Sequence, residues 1–301
     1  MTRYNSYRSY LRKRFGTPVL KIPLNAGFSC PNRDGTISEE GCSFCDNRSF
    51  SPVAATESSI IEQLRCAIER DRGRHKAFIA YFQPFSNTYG DRKRLEAAYE
   101  PALTFPGIVG LAVGTRPDCF TKDIYDCLHG ISRRTYLSVE IGLQSANDKT
   151  LSVNRRGHGT AAFVDAVNTL HAKNIETVAH VMIGLPPDTT NDAVTTARLL
   201  ASLPVSGVKI HQLMVIEGTL VHQWYQEGKI TPLTIEEYTD ALCNFLARLR
   251  PDQLIHRIMA DSNVRNGLVA PLWSGEKMKS LQKIHETMEM RGLRQGSNYE
   301  S

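Results

Sequence analysis

"VLKIPLNAGFSCPNRDGTISEEGCSFC" (residues 19–45) runs an apolar segment directly into a loop carrying three cysteines, Cys30, Cys42 and Cys45. Residues 19–25 read as a strand bounded by loop signals. Behind it, Gly35 and Gly41 let the backbone fold tightly. Thiolates bind soft or borderline metals, chiefly zinc and iron–sulfur clusters, and the short gap between Cys42 and Cys45 lets both sulfurs face one centre. Structural zinc normally takes four ligands, and a four-iron cluster four cysteines. Three thiols leave one position for something else. Alone, the loop admits four readings: zinc completed by Asp46 or a histidine, a cluster with one open iron, a redox Cys-x-x-Cys pair, and cysteines with no joint role.

Outward from this loop, short apolar runs alternate with helical patterns. Strands are expected at 19–25, 77–83, 107–115, 134–144, 176–185 and 207–216. Helices are expected at 57–71, 91–100, 121–132, 160–173, 189–203 and near 234–249. Alternating βα units imply a parallel sheet with helical crossovers. Six units fall short of a closed eight-stranded barrel, so the expected fold class is α/β, an open or partial (β/α)6 barrel of the TIM type. A doubly wound sheet is the alternative. In both, function collects at the carboxyl ends of the strands. Those ends are polar here: "FQPFSNTYG" (82–90), "GTRPD" (114–118), "EIGLQS" (140–145), "GLPPDTT" (184–190) and "IEGT" (216–219). The chain divides into a basic, aromatic N-terminal segment (1–18), a core (19–250) and a C-terminal extension (251–301). In the extension, 256–260 reads as a further strand, 274–292 as a terminal helix and "NYES" as a loose end.

Among 301 residues, 41% are hydrophobic and 22% charged, as in ordinary soluble globular proteins. No apolar run approaches the ~18 residues of a membrane span, and the N-terminus lacks the apolar core of a secretory signal. A cytoplasmic protein is the expectation. Seven cysteines, an odd number, argue against a disulfide framework. Cys66, Cys119, Cys127 and Cys243 stand among apolar neighbours and read as small buried hydrophobes. The net charge of +5 suits a polyanionic partner and equally many unrelated enzymes.

Together, "GFSCPNRDGT…GCSFC", "YFQPFSNTY", "VGTRPDC", "SVEIGLQSANDKTL", "RRGH" and "VKIHQL" resemble the YhcC/YtqA-type family of radical S-adenosylmethionine (SAM) enzymes. That family is related to the Elongator catalytic subunit and to oxygen-independent coproporphyrinogen oxidase. The resemblance runs from about residue 4 to about residue 273. It implies that Cys30, Cys42 and Cys45 hold a [4Fe–4S] cluster whose fourth iron is chelated by SAM. Phe44 takes the place of the aromatic that precedes the last cysteine. Gln83 to Asn87 match the stretch whose backbone meets the methionyl amino group, without the usual Gly-Gly-Glu. Glu140, at the end of the fourth strand, matches a contact to the SAM ribose or amino group; otherwise it is a carboxylate paired with Arg116. Gln144 and Ser145 follow as ribose or substrate contacts. Arg156, preferred over Arg155, matches the arginine that approaches the SAM carboxylate, a fork-like contact guanidinium suits. The expected asparagine of that motif stands one place early, as Asn154.

His211, beside Lys209, is counted with the cofactor contacts, whereas His180 reads as a packed structural residue. Arg116 is expected at the mouth, and Asp118 at a turn capping the helix near 121. The resemblance also implies reductive cleavage of SAM to a 5′-deoxyadenosyl radical, and an external electron donor such as flavodoxin or ferredoxin. An RNA substrate, tRNA in particular, is suggested by the Elongator relationship. Tyr4, Tyr7, Tyr10 and Phe15 alternate with Arg8, Arg12, Lys13 and Arg14, a mix able to stack bases and contact phosphates. The simpler expectation for them is an amphipathic helix whose tyrosines cover the bottom of the barrel. The competing function is a zinc- or cluster-binding, RNA-associated module without radical chemistry.

Overall fold

The computed structural model describes residues 3–46, 49, 51, 53–260, 262 and 264–300. Met1, Thr2 and Ser301, the extremes of the terminal segments, and Asn47, at the end of the cysteine loop, lie outside them. Six strands stand close to their expected places: β1 (Val19–Leu24), β2 (Ala77–Phe82), β3 (Ile108–Thr115), β4 (Tyr136–Gln144), β5 (Glu176–Ile183) and β6 (Gly207–Gln212). Beyond them come β7 (Val215–Ile216), β8 (Leu254–Arg257) and β9 (Leu268–Ala270). The helices are α1 (Tyr7–Phe15), α2 (Ile60–Asp71), α3 (Arg92–Leu103), α4 (Lys122–Ser132), α5 (Asp148–Val153), α6 (Thr160–Ala172), α7 (Thr190–Ser202), α8 (Leu220–Gln226), α9 (Ile235–Arg248) and α10 (Lys277–Met290).

The main sheet runs β1-β2-β3-β4-β5-β6-β8, every neighbouring pair parallel. Its strands follow one another without the reversal of order that defines a doubly wound sheet. The architecture is a curled half-barrel with helices outside. The seventh parallel strand, β8, starts two residues before the strand expected at 256–260. The expected sixth strand, 207–216, divides in two. The Gln212 side chain ends β6 by donating to the Ala260 carbonyl (2.8 Å) and Ser274 Oγ (2.8 Å), while its Oε1 accepts from the Ala260 amide (2.9 Å). Past this clamp the chain leaves the sheet, and β7 pairs antiparallel with β9.

Capping explains the helix starts. Ser59 and Thr234 form capping boxes with Glu62 and Glu237, satisfying otherwise orphaned N–H groups. The residues before them belong to loops, which is why α2 opens later than residue 57. The core between sheet and helices is aliphatic and aromatic, with Tyr99, Tyr238, Phe82, Phe163 and Phe245 fully buried. A second cluster inside the barrel joins Tyr7 and Leu11 of α1 to Ile79, Tyr81, Ala112, Tyr136 and Leu254. Tyr136 begins β4, so α1 closes the amino-terminal end of the barrel. Its tyrosines are committed there: Tyr7 stacks on His256 with ring centroids 3.6 Å apart, and Tyr10 Oη donates to Glu176 Oε1 (2.6 Å). They are not available to stack on bases. The C-terminal tail is less loose than expected, since the Asn298 amide donates to the Ala247 carbonyl (2.8 Å).

Candidate active site

The C-terminal halves of the strands and the cysteine loop enclose one cavity. Cys30, Cys42, Cys45 and Phe44 line it from the loop; Gln83, Glu140, Gln144 and His211 line it from the strands, and Arg156 from the segment after α5. Two residues singled out in the sequence face elsewhere. Asn87 is fully buried, and its Nδ2 donates to the carbonyls of Phe82 (3.1 Å), Pro84 (3.0 Å) and Gly114 (2.9 Å), bracing the exit of β2. Ser145 Oγ accepts from the Asn147 amide (3.1 Å) at the start of α5. Their small polar side chains satisfy local backbone groups, so neither lines the cavity.

At the mouth, Cys42 Sγ meets Arg156 Nη1 (3.2 Å) and Asn32 Nδ2 (3.3 Å). Burial pushes the Cys42 thiol up, but Arg156 and Arg116 outweigh it and hold the thiol below its ordinary value. Burial, reinforced by Cys42, takes the Cys45 thiol up to about 11, and burial also raises Cys30. Arg156 Nη2 donates to the Gly142 carbonyl (2.8 Å). A Cβ on Gly142 would stand 2.8 Å from Gln144 Nε2 and 3.0 Å from Arg156 Nη2, so a side chain there would displace both cavity-lining groups. Arg155 points outward to Glu40. Asp118 does not cap α4, whose N-cap is Thr121. It takes the Arg116 fork, with Nε–Oδ1 2.9 Å and Nη2–Oδ2 2.7 Å.

The displaced asparagine of the sequence motif has a clear task. Asn154 is fully buried; its Nδ2 donates to the carbonyls of Thr150 (2.9 Å) and Pro186 (2.5 Å), and its Oδ1 accepts from Ser43 Oγ (2.5 Å). It ties the cysteine loop to the barrel. Asn154→Ala orphans these buried groups, each worth about 1–3 kcal/mol, and urea denaturation is expected to show a loss of that order.

Below the mouth lies a second tier. Glu140 sits inside β4, four residues before its end, rather than at the strand terminus. Its side chain is 0% exposed. Oε1 pairs with Lys21 Nζ, and Oε2 meets Lys209 Nζ (2.9 Å) and His180 Nε2 (2.7 Å). The expected pairing with Arg116 is absent, and both oxygens are engaged by barrel side chains. Burial would raise this carboxyl, but Lys209 and Lys21 hold it well below the ordinary range. Burial pulls Lys209 down to about 7 against the opposing pull of Glu140, and takes His180 down to about 4. His180 thus belongs to the cavity lining rather than to passive packing. Lys21, Tyr81 and Arg257 escaped the reading of the sequence, and Lys209 entered it only as a neighbour of His211. Each polar side chain interrupts an apolar strand, and that interruption is the signal that points inward.

Zinc draws its donors to about 2.0–2.3 Å from a single ion. Among the described residues, no three His, Cys, Asp or Glu side chains are gathered to hold one metal ion. The three thiols instead share a wall with Arg33 Nε, Arg116 Nη1 and Arg156 Nε, buried N–H groups without partners. Cationic donors around the three cysteines fit an anionic iron–sulfur cluster.

The model of the Radical SAM superfamily matches residues 30–200, beginning at Cys30, and that of the Radical_SAM C-terminal domain matches 205–290. The chain belongs to the radical SAM superfamily. It is 34% identical to the uncharacterized protein YtqA of Bacillus subtilis, over 99% of this chain and 93% of that one. Protein YhcC of Escherichia coli is 33% identical, over 97% and 94%. A tRNA uridine(34) acetyltransferase of Dehalococcoides mccartyi is 29% identical over 51% of this chain and 33% of its own. Among solved structures, the archaeal Methanocaldococcus infernus Elp3 superposes with a TM-score of 0.68 at 18% identity, over 92% of this chain and 64% of that one. The protein is therefore a radical SAM enzyme, and the family's cofactors are a [4Fe–4S] cluster and SAM. No helix among the described residues is long and apolar enough to cross a membrane.

Radical SAM chemistry makes Arg156 testable. Arg156→Gln removes the donors to Cys42 Sγ and the Gly142 carbonyl. Losing such support to a metal ligand typically costs about 10–100-fold in metal affinity. Iron retained under chelator challenge should fall accordingly, while Arg155→Gln, on the outward residue, should match the wild type.

Proposed function

We propose that Cys30, Cys42 and Cys45 bind three irons of the [4Fe–4S] cluster and that the amino and carboxylate groups of SAM take the fourth. A cluster and SAM held there would supply reductive cleavage of SAM and hydrogen abstraction from a substrate. The residues of this chain bind, orient and exclude water. Arg156 and Arg116 offer unpartnered N–H groups to the anionic end, and Gln83 and Gln144 offer amides at the strand ends. Phe44, Met182 and Leu213 pack into a dry wall beside Cys42. The observation that carries this reading is the placement of three thiols and three orphaned guanidinium N–H groups on one cavity at the strand ends.

The electron is supplied by an external donor of the flavodoxin or ferredoxin class. A cytoplasmic setting accords with seven free cysteines and the reducing conditions that keep thiols free. For the substrate we favour RNA, supported by the partial similarity to a tRNA-acting relative. The acetyl transfer in that relative's name is not carried over, because this chain spans 33% of its length.

Anaerobic purification with iron and sulfide analysis, followed by dithionite and SAM, tests the first step. About four irons per chain and release of 5′-deoxyadenosine are expected. One zinc, with no SAM cleavage after iron–sulfide reconstitution, would establish the module without radical chemistry instead. Comparing modified nucleosides in RNA from cells with and without the protein tests the substrate; an unchanged profile overturns the RNA assignment.

A further inference from the structure

Among the described residues, the tier beneath the mouth sets two ammonium groups, Lys21 and Lys209, against one carboxylate. Glu140 is the single Asp or Glu among the described residues lining the cavity, and it is shared by two ammonium groups, Lys21 and Lys209. Lys209 Nζ donates to Tyr81 Oη (2.9 Å) and Glu140 Oε2 (2.9 Å). An ammonium has three N–H groups, so one is left over on a side chain that lines the cavity and is 11% exposed. In register with Lys209 stands Arg257 of β8, whose Nη2 lies 2.9 and 3.0 Å from the two ring nitrogens of His211. Lys21 and Lys209 share the single charge of Glu140, and burying a second ammonium is costly unless an opposite charge accompanies it.

We propose that this floor is an anion subsite, in which Lys209, flanked by His211 and Arg257, receives a carboxylate or phosphate group of the substrate. It rests on the radical SAM reading only in naming the ligand a substrate. The subsite shares one cavity with the SAM end but draws on different side chains: the thiols, Arg156 and Arg116 serve the SAM end, whereas Lys209, His211 and Arg257 line the other part. The floor selects for acidic substrates, an RNA phosphate included, and against cationic ones.

The test uses the cluster-loaded protein, titrated calorimetrically at pH 8 with inorganic phosphate and, separately, with acetate, each with and without saturating SAM. Binding of either anion is expected, unaffected by SAM; the anion that binds more tightly names the group as phosphate or carboxylate. Binding should also take up a proton, seen as a dependence of the heat on buffer ionisation enthalpy, because Lys209 titrates near neutrality in the empty floor. Lys209→Gln should weaken binding at least tenfold and abolish the uptake. Lys209→Arg, permanently charged, should bind without uptake, and this variant carries the test if the glutamine variant fails to fold. Equal affinity in wild type and Lys209→Gln, unchanged proton uptake in Lys209→Arg, or displacement of the anion by SAM would overturn the subsite. SAM cleavage is assayed on the same samples. Anion binding without 5′-deoxyadenosine would refute the radical reading alone, and cleavage with no anion binding would refute the subsite alone.

Discussion

Cys42→Ala is expected to give a folded barrel that retains less than about one of the four irons and releases no 5′-deoxyadenosine from SAM. Of the three loop thiols, Cys42 is the buried one, and it is the one that Arg156 and Asn32 hold by direct contact. In the proposed assignment Cys42 is a cluster ligand; without its sulfur, both donors lose their acceptor. Cys66→Ala is the matching control, since Cys66 is exposed on α2 and should leave iron content and cleavage unchanged. Four irons and full cleavage in Cys42→Ala would overturn the ligand assignment.

Glu140→Gln carries the largest expected cost to stability. The glutamine keeps the shape but leaves Lys21 and Lys209 buried around a neutral amide. Breaking a buried charge network by removing one partner costs about 3–5 kcal/mol, to be read from urea denaturation at pH 7. The pH dependence has a definite sign. The folded-state carboxyl lies well below its ordinary value, so its stabilisation is complete above the unfolded value and fades as pH falls through the folded one. The gap between wild type and Glu140→Gln should therefore be full at pH 7 and narrow steadily below about pH 4. A gap that stayed constant down to acid unfolding would contradict the ion network.

The units of the barrel were legible because each strand is a short apolar run and each helix declares its start. Ser59 and Thr234 start α2 and α9 through capping boxes, and the expected start at 57 passed over the first of them. The cysteine loop was legible for a different reason, since its spacing is local. What the sequence hid was pairing across the barrel. Lys21 and Glu140 belong to β1 and β4, strands that are not neighbours in the sheet, and they meet only because curling turns their inner faces toward each other. Nothing local announces that Glu140 answers to lysines rather than to Arg116. The break after Gln212 was hidden too, because its cause is an amide clamp to Ala260 and Ser274. The side chains of Asn87 and Ser145 were equally illegible: each stands near a strand end, yet its partners are backbone groups.

The loop that holds the thiols is walled by parts of the chain made much later. Ser43 accepts a hydrogen bond from the Val221 amide (3.0 Å) at the start of α8, and Cys42 and Phe44 pack with Val215, Val221 and Ala270. During synthesis, the cysteines emerge long before the residues that enclose them. Contacts so distant along the chain form late in folding. Iron delivered to a nascent chain would meet an open, unwalled loop, whereas the finished protein presents one already shut on that side. Assembly of the metal centre is thereby coupled to completion of the C-terminal portion, and damage there should appear first as iron-poor protein rather than as lost barrel.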